Sequence, residues 1–421
     1  MNNWITSIQR EWNRRNQSPP PNESFFPLIS QSFDDREIIA AIDTLLDGQI
    51  TMSSRVVAFE ARFAEYVGAE HAVMVNSGSS ANLLAVAAVN NSARQQRLVP
   101  GDEVLIPAVA WSTSIWPWVQ HGIKPVFVDV DPATLNIDPT DMKRKITPKT
   151  RALMAIHILG NSAPMAELKL LVREHNLLWI EDTCESLGSR FGGHLLGGFG
   201  DFGCYSFYYS HHITTGEGGM VVCHTQEDLD LLKCLRSHGW SRPLSNRTEI
   251  EKEHSDIDPR FLFVNTGYNL RPLELQAAMG NCQLERIEEM NLTRIRNRDQ
   301  LINALTTHPA WKDQLSFLQP TPGLDPAWFG FVCFLAPEHA DQYQPYLKHL
   351  SAQGVENRPI VSGNFIRQPA LRLLGMNCNP EDFPGAEEIH QRAFFIGIHT
   401  KPISDGIANR IANILMSYPF L

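Results

Sequence analysis

The chain has 421 residues, with 36 Lys and Arg against 46 Asp and Glu, for a formal net charge of −10. Apolar residues at 43% and charged residues at 19% describe a chain that buries a core and exclude an intrinsically disordered one. The acidic balance argues against a dedicated nucleic-acid binder, which needs a basic face.

The first 30 residues read as an extension. Met1–Arg15 is polar and lacks the apolar core of a secretory signal, and Ser18-Pro19-Pro20-Pro21 cannot sit inside a helix. From Phe33 the pattern becomes amphipathic. Ile38, Ile39, Ile42, Leu45 and Leu46 recur at helical spacing and predict a helix over Asp34–Leu46. A second helix is predicted over Arg55–Tyr66, stopping at Gly68.

Short apolar strands then alternate with helices. The strands are His71–Val75, Glu103–Ile106, Pro125–Val130, Ala152–Ile158, Leu178–Glu181, Cys204–Tyr208 and Met220–Cys223. Between them lie Ser79–Val89, Thr113–His121 and Met165–His175. That alternation predicts an α/β domain with a mainly parallel sheet covered on both faces. Residues 239–266 read as a long polar loop, and a long helical stretch follows Pro272. After about residue 310 the rhythm changes to a strand at Phe329–Leu335, a helix at Tyr343–Gln353 and a closing helix at Asp405–Ser417. The expected division is 1–30 as an extension, 31–310 as a large domain and 311–421 as a small α+β domain.

The apolar run Leu83–Val89 is far short of the ~20 residues of a membrane span. Seven scattered cysteines include no C-x-C or C-x-x-C pair, which reads as reduced core thiols in a cytoplasmic protein without a zinc site.

Four segments carry candidate chemistry. Asn76-Ser77-Gly78-Ser79-Ser80-Ala81-Asn82 follows a strand and opens a helix, where amide N–H groups and hydroxyls form either a phosphate cradle or an ordinary serine cap. No G-K-[ST] follows, so it is not a nucleoside-triphosphate loop. Trp111 ends the next strand and either stacks on a flat ring or packs in the core. Asp182 ends an apolar strand, where it either pairs with a pyridinium nitrogen or caps a helix. The run Ser206-Phe207-Tyr208-Tyr209-Ser210-His211-His212, closing on Gly216-Glu217-Gly218-Gly219, is the most specific of the four.

Taken together and in order, these segments resemble the DegT/DnrJ/EryC1/StrS family of fold type I pyridoxal-phosphate aminotransferases. The family pattern S-F-x-x-x-K-x-x-x-x-G-E-G-G carries a lysine that binds the cofactor covalently. Counting five on from Ser206, or seven back from Gly218, lands on His211. Histidine has no primary amine, so it cannot make that bond, but it remains a base. The resemblance therefore implies a 3-dehydratase of nucleotide-linked 4-keto-6-deoxy sugars.

One such group needs an iron–sulfur cluster, and four thiolates are the usual requirement. No cysteine lies between 235 and 281, so no cluster is expected. His238–Arg242, Gly267–Glu274, Arg358–Phe365 and Ser210–His212 resemble the cluster-free group that acts on GDP-4-keto-6-deoxy-D-mannose.

Residue by residue, the resemblance implies that Gly78, Ser79 and Ser80 hold the cofactor phosphate, with Ser206 near it. Trp111 stacks on the ring, Asp182 meets its nitrogen and Glu185 lies beside it. Asn269 reaches the phosphate of a partner subunit in a homodimer. His211 is the catalytic base, with His238 assisting, and Ser210, Arg242 and Arg358 meet the substrates. The implied cofactor is pyridoxal or pyridoxamine 5′-phosphate, the implied partners are a nucleotide sugar and L-glutamate, and no metal is implied. A sugar aminotransferase, a CDP-sugar dehydrase and an inactive cofactor-binding regulator remain as alternatives.

Overall fold

The computed structural model describes residues 3–16 and 24–420. The proline run at 19–21 lies outside the described residues. Helix α1 (Asn3–Arg15) packs on α2 (Asp35–Leu46), where Gln9 Nε2 donates to Asp35 Oδ2 at 3.0 Å and Trp12 meets Phe33 at 5.8 Å between centroids. Asp34 caps α2 in a reciprocal box with Glu37, which fixes the start read from the sequence. Helix α3 (Ser54–Val67) ends on Gly68, whose φ of 79° closes the turn. The Glu274 carboxylate accepts the N–H groups of Ser53, Arg55 and Val56 at the start of that helix.

The large sheet has strands β1 (His71–Val75), β2 (Glu103–Pro107), β3 (Lys124–Val128), β4 (Thr150–Ile156), β5 (Leu178–Asp182), β6 (Phe202–Ser206) and β7 (Gly219–Cys223). Their order is β1-β7-β6-β5-β4-β2-β3. Six strands are parallel and β7 runs against both neighbours. Each parallel strand is followed by a turn at one edge of the sheet, where ligands collect in such folds. Because β7 is reversed, the 207–218 segment leaves β6 and re-enters β7 at that same edge. The two faces of the sheet bury separate apolar clusters, with Val73, Ile106 and Ile180 on one side and Met74, Leu105 and Trp179 on the other. This is the both-faces-covered architecture that continuous apolar strands predict.

A buried ion pair and a buried hydrogen-bonded pair steady the sheet. Arg236 Nη1 sits 2.6 Å from Glu60 and donates to the Met74 carbonyl at 2.7 Å, so β1 is held from its flank. His157 and Glu181 meet at 3.0 Å, and Glu181 also accepts the N–H groups of Gly197, Phe199 and Gly200.

A second sheet follows, ordered β8 (Leu315–Phe317), β9 (Gly330–Leu335), β11 (Ala393–Gly397) and β10 (Asn357–Pro359), all antiparallel. Residues 24–30 run along it: Phe26 is buried and bridges to Val355, and Glu356 accepts from Ser24 and Leu28. The stretch 239–266 differs from the loop expected of it. Its charged run forms a short helix over Arg247–Glu253, tied by an Arg247–Glu251 pair four residues apart, because Glu and Lys favour helix once such pairs face each other.

Candidate active site

The turns at the shared strand edge enclose a cavity of about 500 Å³, the size of a cofactor-plus-substrate site. Gly78, Ser79, Trp111, Asp182, Glu185, Ser206, Ser210, His211 and Arg358 all line it.

Ser77 caps α4 (Gly78–Val89) by accepting the Ser80 N–H, so the free amides of the first turn face the cavity. A Cβ on Gly78 would lie 2.4 Å from Ser206 Cβ, so only glycine admits Ser206 against the helix start. Ser79 Oγ is 2.9 Å from Thr113 Oγ1. Ser80 does not line the cavity, because its hydroxyl donates to Asn76 Oδ1 at 2.6 Å.

Asp182 ends β5 as a buried carboxylate with no cationic partner among the described residues. Asn82 Nδ2 donates to its Oδ2 at 2.8 Å and Ser114 Oγ at 2.6 Å, while Cys184 N–H donates to Oδ1 at 3.1 Å. Trp111 stands at the wall with 58% of its surface exposed, an uncovered aromatic slab. A buried anion awaiting a cation, an open aromatic face and an amide-lined helix start fit a flat pyridinium ring bearing a phosphate. Among the described residues no group of three His, Cys, Asp or Glu is placed to hold a metal ion.

His211 rides the segment between β6 and β7. Its Nδ1 is 3.4 Å from Ser210 Oγ, and its ring meets Tyr208 and Phe329 edge-on. Burial pulls its pKa down to about 4; the nearby Asp182 charge opposes this and the Arg294 charge adds to it. Its neighbour His212 is fully buried and bonds the Ala327 carbonyl at 2.8 Å, so it anchors the segment. Burial pushes Glu185 up to about 7, against the Leu159 N–H that it accepts at 3.1 Å and with help from Asp182. Leu159 holds a left-handed φ of 53°, backbone strain that presents this N–H to the carboxylate.

The second sheet closes the cavity. Ser362 Oγ donates to the Ala110 carbonyl at 2.7 Å and Phe365 N–H to the Ala108 carbonyl at 2.8 Å, which docks the 358–365 motif beside Trp111 and leaves Arg358 exposed at the mouth.

His238, Arg242 and Asn269 lie elsewhere. Ser237 bridges to Asn269, His238 meets Trp240 at 4.8 Å, and Arg242 lies over the same indole at 5.3 Å. Arg294, Phe329, Asn82 and Ser114 complete the site and were not singled out from the sequence. Asn82 had a signal, since it lies four residues after Gly78 on the same helix face. No helix of the described residues is long and apolar enough to cross a membrane.

Comparison with known proteins places the chain in a family. Residues 32–415 match the family model of the DegT/DnrJ/EryC1/StrS aminotransferases. A GDP-4-keto-6-deoxy-D-mannose 3-dehydratase of Yersinia pseudotuberculosis is 37% identical over 394 residues, covering 93% of this chain and 98% of the relative. The solved Escherichia coli GDP-4-keto-6-deoxy-D-mannose 3-dehydratase with bound hydrated pyridoxal phosphate superposes with a TM-score of 0.86 at 34% identity, covering 94% of this chain and all of that one. A GDP-4-keto-6-deoxymannose 3-dehydratase structure with a trapped cofactor–glutamate geminal diamine gives 0.85 at 34% identity, covering 93% of this chain and all of the other. The fold is that of the type I pyridoxal-phosphate enzymes, and the chain belongs to the DegT/DnrJ/EryC1/StrS aminotransferase family.

Proposed function

We propose that this protein is a pyridoxal/pyridoxamine-phosphate-dependent 3-dehydratase of a GDP-linked 4-keto-6-deoxy sugar, with L-glutamate as amino donor. The observation that carries it is the imidazole of His211 in the cavity with Trp111 and Asp182, where the family pattern has a primary amine.

When bound, the cofactor supplies a carbonyl or amine for exchange and a ring that accepts electrons from the adjacent carbon. Gly78, Ser79 and Ser206 would hold its phosphate at the helix start, Trp111 would stack on the ring, and Asp182 would meet the ring nitrogen and favour its protonated form. His211 takes a proton from the cofactor C4′ and returns it to the C3 hydroxyl of the sugar as water departs. Over the cycle the sugar loses one oxygen at C3, and glutamate leaves as 2-oxoglutarate and ammonia after supplying two reducing equivalents. Without a lysine, no covalent bond to the protein competes with these steps.

A homodimer with shared sites is part of this reading. Leu46 and Val57 are 67% and 63% exposed, and Ile50 and Leu273 are exposed apolar side chains as well, surface that a second copy would cover. Asn269, Arg242 and His238, which sit apart from this chain's own cavity, then serve the partner's. Free thiols at all seven cysteines favour a reducing, cytoplasmic setting.

The test is one panel: protein, cofactor and glutamate with GDP-, CDP- and dTDP-4-keto-6-deoxy sugars, read by mass spectrometry. The expected product is a GDP sugar one oxygen lighter. A stable amino sugar would instead make the protein an aminotransferase.

A further inference from the structure

Arginines of low exposure among the described residues have close polar or acidic partners. Buried Arg236 pairs with Glu60, part-buried Arg94 with Asp201 and Asp228, and part-buried Arg286 with Asp34 and Glu37, while buried Arg298 donates to the Leu318 carbonyl and lies 3.6 Å from the exposed Asp299. Arg294 departs from that pattern. It lies on the inward face of the helix Ile287–Thr306, 4% exposed, at the wall of the active-site cavity.

Among the described residues its Nη1 makes one long contact, 3.4 Å to Asn291 Oδ1, its Nε is buried without a partner, and no carboxylate pairs with it. Burial pulls the guanidinium down to about 10 with no acid to offset it. The groups that feel its charge are the imidazoles of His211, His212 and His399. A buried cation left without an anion is among the costliest arrangements a fold can hold, and such costs concentrate where a ligand completes the site.

We propose that Arg294 is the anchor for a carboxylate of the amino donor; this rests on the donor reading above. The planar guanidinium matches a carboxylate through two parallel hydrogen bonds. Depth decides between the anions available. The cofactor phosphate has the helix start at Gly78 and Ser206. The diphosphate of a nucleotide sugar trails a nucleoside that must reach solvent, which suits exposed Arg358 at the mouth. A five-carbon dicarboxylate is small enough to reach the buried group.

The test uses the full chain and glutarate, the donor's dicarboxylate skeleton without its amine. Calorimetry is expected to show glutarate binding to wild type and about 100-fold weaker binding to Arg294→Met. Arg294→Lys, which keeps the charge and loses the fork, is expected to fall between the two and serves if the methionine variant does not fold. The melting temperature of ligand-free Arg294→Met should hold or rise, because an unpaired charge has been replaced by an apolar chain; a purely architectural arginine would lower it.

Unchanged glutarate affinity in folded Arg294→Met overturns the proposal. So does a loss of GDP affinity with glutarate affinity intact. Wild type charged beforehand with pyridoxamine phosphate and given the keto sugar separates the two readings. If it fails to release a deoxysugar while glutarate binding still depends on Arg294, the dehydratase assignment falls and the anchor stands.

Discussion

The ring of Phe329 meets the imidazole of His211 edge-on, with centroids 5.2 Å apart and planes at 75°. Phe329 directly precedes β9 of the second sheet, so that part of the chain shields one side of the half-buried base. Burial favours the neutral imidazole, and its pKa of about 4 leaves it unprotonated at neutral pH. The folded value lies below the ordinary 6.5. The neutral ring therefore favours the folded state above about pH 6.5, and that contribution is lost as pH falls towards 4. Thermal melts of the cofactor-free protein should drop across this window, and His211→Asn should drop less. Parallel curves for the two proteins would remove His211 as the cause. In turnover, His211→Asn is expected to lose about 10²–10⁴-fold while still binding cofactor.

Glu185 carries the opposite sign. Its carboxyl is pushed up to about 7, above the ordinary 4.5, so the protonated form suits the fold. That contribution is present below about pH 4.5 and is lost as pH rises through 7. Glu185→Gln should raise the melting temperature of the cofactor-free protein at pH 8 and leave it nearly unchanged at pH 4.5. An equal shift at both values would show that ionisation is not involved.

His211→Lys restores the amine of the family pattern in the same cavity. Borohydride treatment of the variant with pyridoxal phosphate should fix the cofactor to residue 211, detectable by peptide mass. A variant that binds cofactor but yields no reduced adduct would mean that position 211 does not face the cofactor aldehyde.

Gly78→Ala tests the phosphate cradle. The new methyl would lie 2.4 Å from Ser206 Cβ and 2.8 Å from its Oγ, so the helix start or Ser206 must shift. Cofactor affinity, followed by absorbance titration, should weaken about 10–100-fold. Wild-type affinity in that variant would place the phosphate elsewhere.

Trp12→Ala tests a contact outside the large sheet. Trp12 packs on Phe33, and Phe33 meets Tyr209 of the cavity wall at 6.3 Å. Loss of this chain of rings should cost about 1 kcal/mol of stability and raise the sugar KM, because Tyr209 is two residues from His211. A KM equal to wild type would confine α1 to stability alone.

The strands and the motif turns were legible because they rest on local signals, namely continuous apolar runs, a serine-rich helix start and a carboxylate at a strand end, while position 211 was picked out by resemblance to the family pattern. What escaped depends on side-chain bonding and packing that no pattern records. Ser80 is kept from the cavity by its bond to Asn76, four residues back. Arg294 is one of several arginines on a mixed helix, and only tertiary packing shows that it alone faces the cavity without an acid. The helix at 247–253 was hidden because a charged run reads equally as loop or as solvated helix.

The reversed strand β7 has a wider consequence. It pins the 207–218 segment at both ends to neighbouring strands, so the backbone there is held independently of the side chain at 211. The side chain at 211 can then be exchanged between an imidazole and an amine without rebuilding the strands that present it.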